Sequence, residues 1–220
     1  VTVAAANELP LAQDAFGRTV VNGFGSADIG GSWDLSGGNS KFAVNDGSGK
    51  MTLARGVRLT AVLGSVSSTS TDTQVKLSMD KMPDGGGFFT TLIGRRVAGA
   101  GDYSAKMWIS KSGTMTLDLK SLSGGVEKTL QGVVVQGLTY TQGMQLQIRL
   151  QVTGASPTVL RAKVWDAAGT EPAAWLVSAT DTTENMQSAG SVGVSSYVSG
   201  SATNGPILVS LKDWVTRRAE

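Results

Sequence analysis

The chain contains neither cysteine nor histidine. Those two absences remove thiol nucleophiles, disulfides, zinc sites of the Cys/His kind and imidazole acid–base chemistry together. A disulfide framework is not needed at 220 residues, because a single domain of that size buries roughly 70% of its unfolded surface on folding. The lack of cysteine therefore leaves the compartment open. Charge is also sparse: charged residues make up 16%, and the net charge of +2 falls far short of the basic excess expected of a nucleic-acid binder. No apolar run approaches membrane-spanning length, so no membrane span is expected. An export signal, if the protein is exported, is expected upstream of Val1. Proline is scarce (5 residues) while glycine is plentiful (29 residues), a mixture that suits many short strands joined by tight turns.

Period-two alternation dominates what is present. Apolar residues fall on every second position in Thr73-Gln74-Val75-Lys76-Leu77-Ser78-Met79-Asp80, in Thr114-Met115-Thr116-Leu117-Asp118-Leu119-Lys120, and in Gln145-Leu146-Gln147-Ile148-Arg149-Leu150-Gln151-Val152. Each reads as a half-buried strand with one wet face. Further strands are expected near 50–55, 59–64, 87–96, 103–110, 126–135, 158–166, 173–179, 191–198 and 206–215, separated by Gly-rich or Asx-rich breaks such as Asp84-Gly85-Gly86-Gly87 and Ser123-Gly124-Gly125. A helix is expected only as a turn or so around 183–189. About a dozen antiparallel strands at this spacing predict an all-β fold, a two-sheet antiparallel jelly-roll sandwich.

Alternation also sorts side chains by face. The wet faces read Gln74/Lys76/Ser78, Lys106/Trp108, Asp118/Lys120, Gln147/Arg149/Gln151 and Arg161/Lys163/Trp165, with Arg95 or Arg96 closing the adjacent strand. On a shared sheet these would form a ligand platform. Trp108 and Trp165 would stack on sugar rings, while Lys106, Arg149, Arg161, Lys163, Arg96 and Gln147 would donate hydrogen bonds to hydroxyls or to the anionic groups of an acidic polysaccharide. A plain solvated sheet face would carry the same polar residues without any ligand. Phe16, Phe42, Trp33 and Trp214 read as core, and Phe88-Phe89 must send one ring to each face.

Catalytic motifs are missing. Glycoside hydrolysis needs two placed carboxylates, yet Glu8, Glu127, Glu171 and Glu184 are scattered, and the Glu-x-Asp-x-x-Glu strand of sandwich laminarinases does not occur. Without histidine a Ser-His-Asp triad is impossible. A structural calcium is the one metal to weigh: Asp14 and Asp213 would supply carboxylates if the first and last strands pair, within a shell of six to eight oxygens.

Several stretches together carry a family resemblance. They are Asp14-Ala15-Phe16-Gly17-Arg18-Thr19-Val20, Gly23-Phe24-Gly25-Ser26-Ala27-Asp28, Gly31-Ser32-Trp33, Ile93-Gly94-Arg95-Arg96-Val97, Gly101-Asp102-Tyr103-Ser104-Ala105-Lys106, Leu160-Arg161-Ala162-Lys163-Val164-Trp165 and Glu171-Pro172-Ala173-Ala174-Trp175. The chain resembles the laminin-G-like, concanavalin-A-like jelly-roll domain that follows a polycystic-kidney-disease-type (PKD) domain in secreted actinobacterial multi-domain proteins. The resemblance implies that residues 1–13 are the tail of a preceding PKD-like domain plus a linker, and that 14–220 form a single β-sandwich. It also implies a non-catalytic, monomeric, extracellular module, secreted or at the cell surface, whose partner is a polysaccharide or cell-surface glycan. A protein-interaction, adhesion or receptor-binding module of a bacterial surface or phage tail is the alternative it leaves open.

Overall fold

The computed structural model describes residues 9–219. Val1-Thr2-Val3 and most of the expected linker thus lie outside the described residues. Sixteen strands follow one another: β1 (Ala12–Asp14), β2 (Val20–Val21), β3 (Trp33–Ser36), β4 (Phe42–Asn45), β5 (Ser48–Leu53), β6 (Arg58–Ser68), β7 (Thr71–Met79) and β8 (Phe88–Val97). The second half adds β9 (Gly101–Ile109), β10 (Met115–Ser123), β11 (Val126–Val134), β12 (Leu146–Thr153), β13 (Thr158–Asp166), β14 (Val177–Asp181), β15 (Gly190–Val198) and β16 (Ile207–Arg218). The only helical turns among the described residues are single 3-10 turns at Asn39–Lys41 and Glu184–Met186.

These strands form two antiparallel sheets, an all-β sandwich as expected. A nine-stranded sheet runs β14-β13-β12-β7-β16-β5-β4-β2, with β1 also paired to β16. A seven-stranded sheet runs β11-β10-β9-β8-β15-β6-β3. Alternation explains the core: Val75, Leu77 and Met79 of β7 point inward beside Leu146, Ile148, Leu150 and Val152 of β12. Opposite them lie Tyr103, Ala105, Met107 and Ile109 of β9. One end of the core is aromatic. The rings of Trp33 and Trp214 meet edge to face at 5.2 Å, and Phe24 meets Phe42 the same way at 5.2 Å, contacts that contribute about 0.5–1.5 kcal/mol each beyond their burial.

Two of the bulges redirect charged side chains. Pairing of β8 with β9 shifts between Ile93 and Arg95, so Gly94 is the extra residue. In consequence Arg95 faces inward opposite Tyr103, and Arg96 faces outward opposite Asp102. Arg95 is fully buried, where it donates to Thr158 Oγ1 at 2.8 Å, to the Gly154 carbonyl at 2.7 Å and to the Thr69 carbonyl. Gly94 is required here because a Cβ would lie 2.5 Å from Val152 Cγ2 and 2.9 Å from Leu150 Cδ2 across the core. The second bulge, between Lys212 and Val215 of β16, turns Asp213 outward at φ 50° and lets both Leu211 and Trp214 point inward.

The N-terminal motif closes a knot. Asp14 accepts hydrogen bonds from Phe16 N–H (2.8 Å), both Arg18 Nη atoms (2.7 and 2.8 Å) and Trp33 Nε1 (2.8 Å). Arg18 donates onward to the Phe24 carbonyl from Nε at 2.9 Å. The sandwich takes in Ala12 and Gln13, which pair with Thr216 and Val215.

Candidate functional site

The five polar strand faces do not share a sheet. β7, β12 and β13 belong to the nine-stranded sheet, and β9 and β10 to the seven-stranded one. Period-two alternation says which residues face out but not which sheet they leave, so the expected single platform is corrected to two outer faces on opposite sides of the core. Trp165, Gln147, Arg149, Arg161 and Lys163 lie on one side, while Trp108, Lys106 and Arg96 lie on the other. No single ligand on one face meets both tryptophans.

Part of the outer face of the nine-stranded sheet, over β12 and β13, is covered by the chain itself. The 167–176 loop folds back over β12 and β13 and lays Trp175 beneath two cations, Lys163 Nζ at 4.8 Å and Arg149 Cζ at 5.3 Å from its ring centre. Glu171 bridges the same two, with Lys163 Nζ at 2.8 Å and Arg149 Nη1 in hydrogen-bond contact. Lys163 also donates to the Pro172 carbonyl at 2.6 Å, and Arg149 makes a two-pronged contact with Asp72 at 2.8 and 2.6 Å. Lys163 is left 4% exposed and Gln147 8%. Burial pushes the Glu171 carboxyl up, but hydrogen bonds and charge from Lys163 and Arg149 outweigh it and hold the group below its usual range. Lys163 and Arg149, expected to meet a glycan here, are engaged in fastening a loop. Arg161 pairs in register with Ser178 and Gln151 at the outer part of this face.

The outer face of the seven-stranded sheet is different. Its register places Trp108 (β9), Phe89 (β8), Tyr197 (β15) and Arg58 (β6) side by side in one row across four strands. At a strand spacing of about 4.8 Å that row spans about 14 Å. The Phe89 and Tyr197 rings are 6.0 Å apart, Lys106 Nζ lies 5.7 Å from the Phe89 ring centre, and Arg58 Cζ lies 5.5 Å from that of Tyr197. Trp108 is fixed by its Nε1–H donating to the Gly86 carbonyl at 2.9 Å. Gly87, at φ 87°, makes room for this indole, since a Cβ there would sit 2.6 Å from Trp108 Nε1.

The next row down is polar: Asp118, Lys106, Thr91, Ser195, Thr60 and Ser36 in register order. Below it the sheet opens into a cleft of about 250 Å³ with Arg58, Thr60, Thr91, Ser195, Ser104 and Arg96 among its walls and Ile93 in its floor. A neighbouring depression of about 370 Å³ continues over Thr60, Val62 and Arg96 to Asp34 and Ser36 at the sheet edge. Three carboxylates of this face sit against bases, Asp102 with Arg96 at 2.7 Å, Asp118 with Lys120 at 3.0 Å and Glu127 with Lys106 at 2.7 Å, while Asp34 at the sheet edge has no basic partner among the described residues. Arg58 has no carboxylate partner among the described residues, and it donates to Ser195 Oγ at 3.3 Å.

Of the expected site residues, this face therefore brings together Trp108, Lys106 and Arg96. Phe89, Tyr197, Arg58, Thr60, Thr91 and Ser195 join them unannounced. Phe89 was recognisable only as one of two rings that must part, and nothing in sequence pairs it with Tyr197, 108 positions away.

The proposed calcium ligands have other occupations. Asp14 is fully buried and both its oxygens accept from Arg18, Trp33 and Phe16. Asp213 points to solvent and pairs with Lys76 at 2.6 Å. Among the described residues no cluster of three carboxylates is assembled. This donor set does not fit an ion that takes six to eight oxygens, and the calcium expectation is corrected accordingly.

No protein-family model matches the chain, and no curated protein matches it. Solved structures do. The catalytic domain of an endo-1,3-beta-glucanase (laminarinase) from Thermotoga petrophila RKU-1 superposes with a TM-score of 0.62 at 10% identity, covering 96% of this chain and 98% of that one. The carbohydrate binding module CBM66 from Bacillus subtilis superposes at 0.59 with 11% identity, over 84% of this chain and 94% of its own. A legume lectin-like domain from Entamoeba histolytica gives 0.57 at 14% identity, over 86% and 90%. At such identities the likeness establishes the fold: a concanavalin-A-like jelly roll, shared by carbohydrate-binding modules, lectins and glucanases.

Proposed function

We propose that the protein is a non-catalytic, extracellular carbohydrate-binding module that holds a glycan chain on the outer face of its seven-stranded sheet. The observation that carries this reading is the row Trp108–Phe89–Tyr197–Arg58. It sets three aromatic rings side by side on an open face, directly above hydroxyls from Thr91, Ser195 and Thr60. Aromatic faces offer apolar surface to the C–H side of a pyranose, and the hydroxyls and charged groups beside them bond its oxygens. The row crosses the strands, so the chain would lie across the sheet rather than along it. A non-catalytic role is supported by the ion pairing of Asp102, Asp118 and Glu127, which leaves Asp34 without a second free carboxylate to work with among the described residues of this face. The fold kinship with a carbohydrate-binding module, a lectin and a glucanase supports sugar binding itself.

The test is a matched pair of variants on a broad polysaccharide panel. Trp108→Ala should weaken binding about fivefold or more, the value of roughly 1 kcal/mol of aromatic contact, whereas Trp165→Ala on the opposite face should bind like the wild type. A folded Trp108→Ala protein with undiminished affinity would refute the site. A protein-adhesion role is the second reading, favoured by Val126 and Val134, which stand 70% and 46% exposed on the edge strand β11. It predicts capture of a protein ligand that Trp108→Ala leaves intact and charges at Val126 and Val134 abolish.

A further inference from the structure

We infer that this face selects an anionic sugar, and that Arg58 is the group that takes its carboxylate or sulfate. The inference rests on the glycan-binding reading above and adds to it the class of ligand. Four basic side chains line the face. Arg96, Lys106 and Lys120 each have an acidic partner within ion-pair distance, at 2.7, 2.7 and 3.0 Å. Arg58 has none among the described residues. It is also held in place rather than left to wander. Its guanidinium lies over the Tyr197 ring, and it donates from Nη1 to Ser195 Oγ, a hydroxyl that Thr60 Oγ1 meets at 3.1 Å from the other side.

That arrangement leaves most of the planar fork unused. A guanidinium has five N–H donors, and its Nε–H and Nη2–H edge is the geometry that takes two oxygens of one anion. Here that edge has no partner among the described residues, since the one hydrogen bond of Arg58 leaves from Nη1. The group stands at the end of the aromatic row and in the wall of the polar cleft. A sugar stacked on Tyr197 would thus carry its anionic substituent to the one unmatched positive charge on the face. A neutral sugar would leave that charge as it is and gain only hydroxyl contacts. Planarity matters as well, because a lysine at this position would supply charge but neither the fork nor the stack.

The experiment measures binding of the protein to polygalacturonate, to the same polymer with its carboxyls reduced to alcohols, to a sulfated galactan and to a neutral glucan. Expected is binding to a charged polymer at least about tenfold tighter than to the carboxyl-reduced one, the size of one charge-assisted hydrogen-bonded pair. Arg58→Gln should erase that margin and Arg58→Lys restore only part of it. The carboxylated and sulfated polymers identify which anion is recognised. Because a basic protein attracts polyanions generally, the double variant Lys212→Gln/Arg217→Gln on the opposite sheet serves as control and should bind unchanged. Equal affinity for native and carboxyl-reduced polymer, with no preference for the sulfated one, would overturn the anionic subsite while leaving glycan binding standing. So would a charge preference that survives Arg58→Gln or is lost in the opposite-face control. Failure to retain any of the four polymers, with Trp108→Ala indistinguishable from wild type, would instead overturn the glycan reading on which the inference rests.

Discussion

Replacing Asp14 by Asn keeps the shape of the side chain and removes its charge, which makes it the sharpest probe of what anchors the first strand. Asp14 is completely buried, and Arg18, its partner, is only 24% exposed at the side chain. In the variant one oxygen still accepts from Trp33 Nε1 or from Phe16 N–H. The other becomes an NH2 facing donors, and the guanidinium loses its counter-charge. Breaking a buried ion pair from one side costs about 3–5 kcal/mol; the partial exposure of Arg18 places the expectation at about 3 kcal/mol, the low end. For a chain of this length that lowers the melting temperature by about 6–12 °C. With an m-value of about 3 kcal/mol/M it moves the urea midpoint by about 1 M without changing the slope. Tryptophan fluorescence follows the transition well, because Trp33 is hydrogen-bonded to the mutated site. Adding Arg18→Met to the variant should cost much less than Arg18→Met costs the wild type, with a coupling above about 1 kcal/mol. A loss below about 1 kcal/mol for Asp14→Asn, or additive costs in the double variant, would refute the account. A wild-type melting point that rises with calcium and falls with chelator would refute it from the other direction, since it would return Asp14 to a metal.

Acid should erode stability through Glu171 and Asp181. Both carboxyls are pushed up by burial, yet both are held below their usual values of 4.5 and 3.8 by hydrogen bonds, from Lys163 and Arg149 to Glu171 and from Thr183 and Tyr103 to Asp181. A lowered folded value means the stabilisation is complete above the unfolded value and drains away as pH falls through the folded one. Glu171→Gln/Asp181→Asn should therefore flatten the decline of melting temperature below pH 4.5 while leaving Trp108-dependent binding alone; an unchanged acid limb would count against it. Gly94→Ala should destabilise by about 1–3 kcal/mol in chemical denaturation, the usual cost of overpacking, since the new methyl meets Val152 and Leu150. A neutral result would show that the two sheets can part there at no cost.

Most of the long strands were legible because they have one wet and one dry face. The expected 158–166 and 191–198 agree with β13 and β15 nearly to the residue, and the 3-10 turn at Glu184–Met186 sits inside the expected helical stretch. The short strands β1 to β4 escaped because two to four residues are too few to show a period. The site was legible only in part, for a different reason. Alternation carries parity but not partnership: β7 lies between β12 and β16, and β9 between β8 and β10, and only long-range pairing decides this. Bulges also reverse parity midway, which is why Arg95 and Arg96 could not be told apart until Gly94 was seen as an extra residue. The Asp-x-Phe-x-Arg motif was visible as a pattern, whereas its cause, a carboxylate shared by Arg18, Trp33 and the Phe16 amide, is three-dimensional.

The pairing of the first strand with the last has a mechanical consequence. Ala12 lies opposite Thr216 and Asp14 opposite Trp214, running antiparallel, so Leu9 and Ala219 leave the sheet in the same direction from neighbouring strands. Tension applied between those two points does not shear the β1–β16 ladder as a block. It opens the ladder rung by rung, from Ala12 toward Asp14, and the advancing tear then meets the Asp14–Arg18–Trp33 knot. That knot is the first place along the β1–β16 ladder where several strong bonds must yield at once.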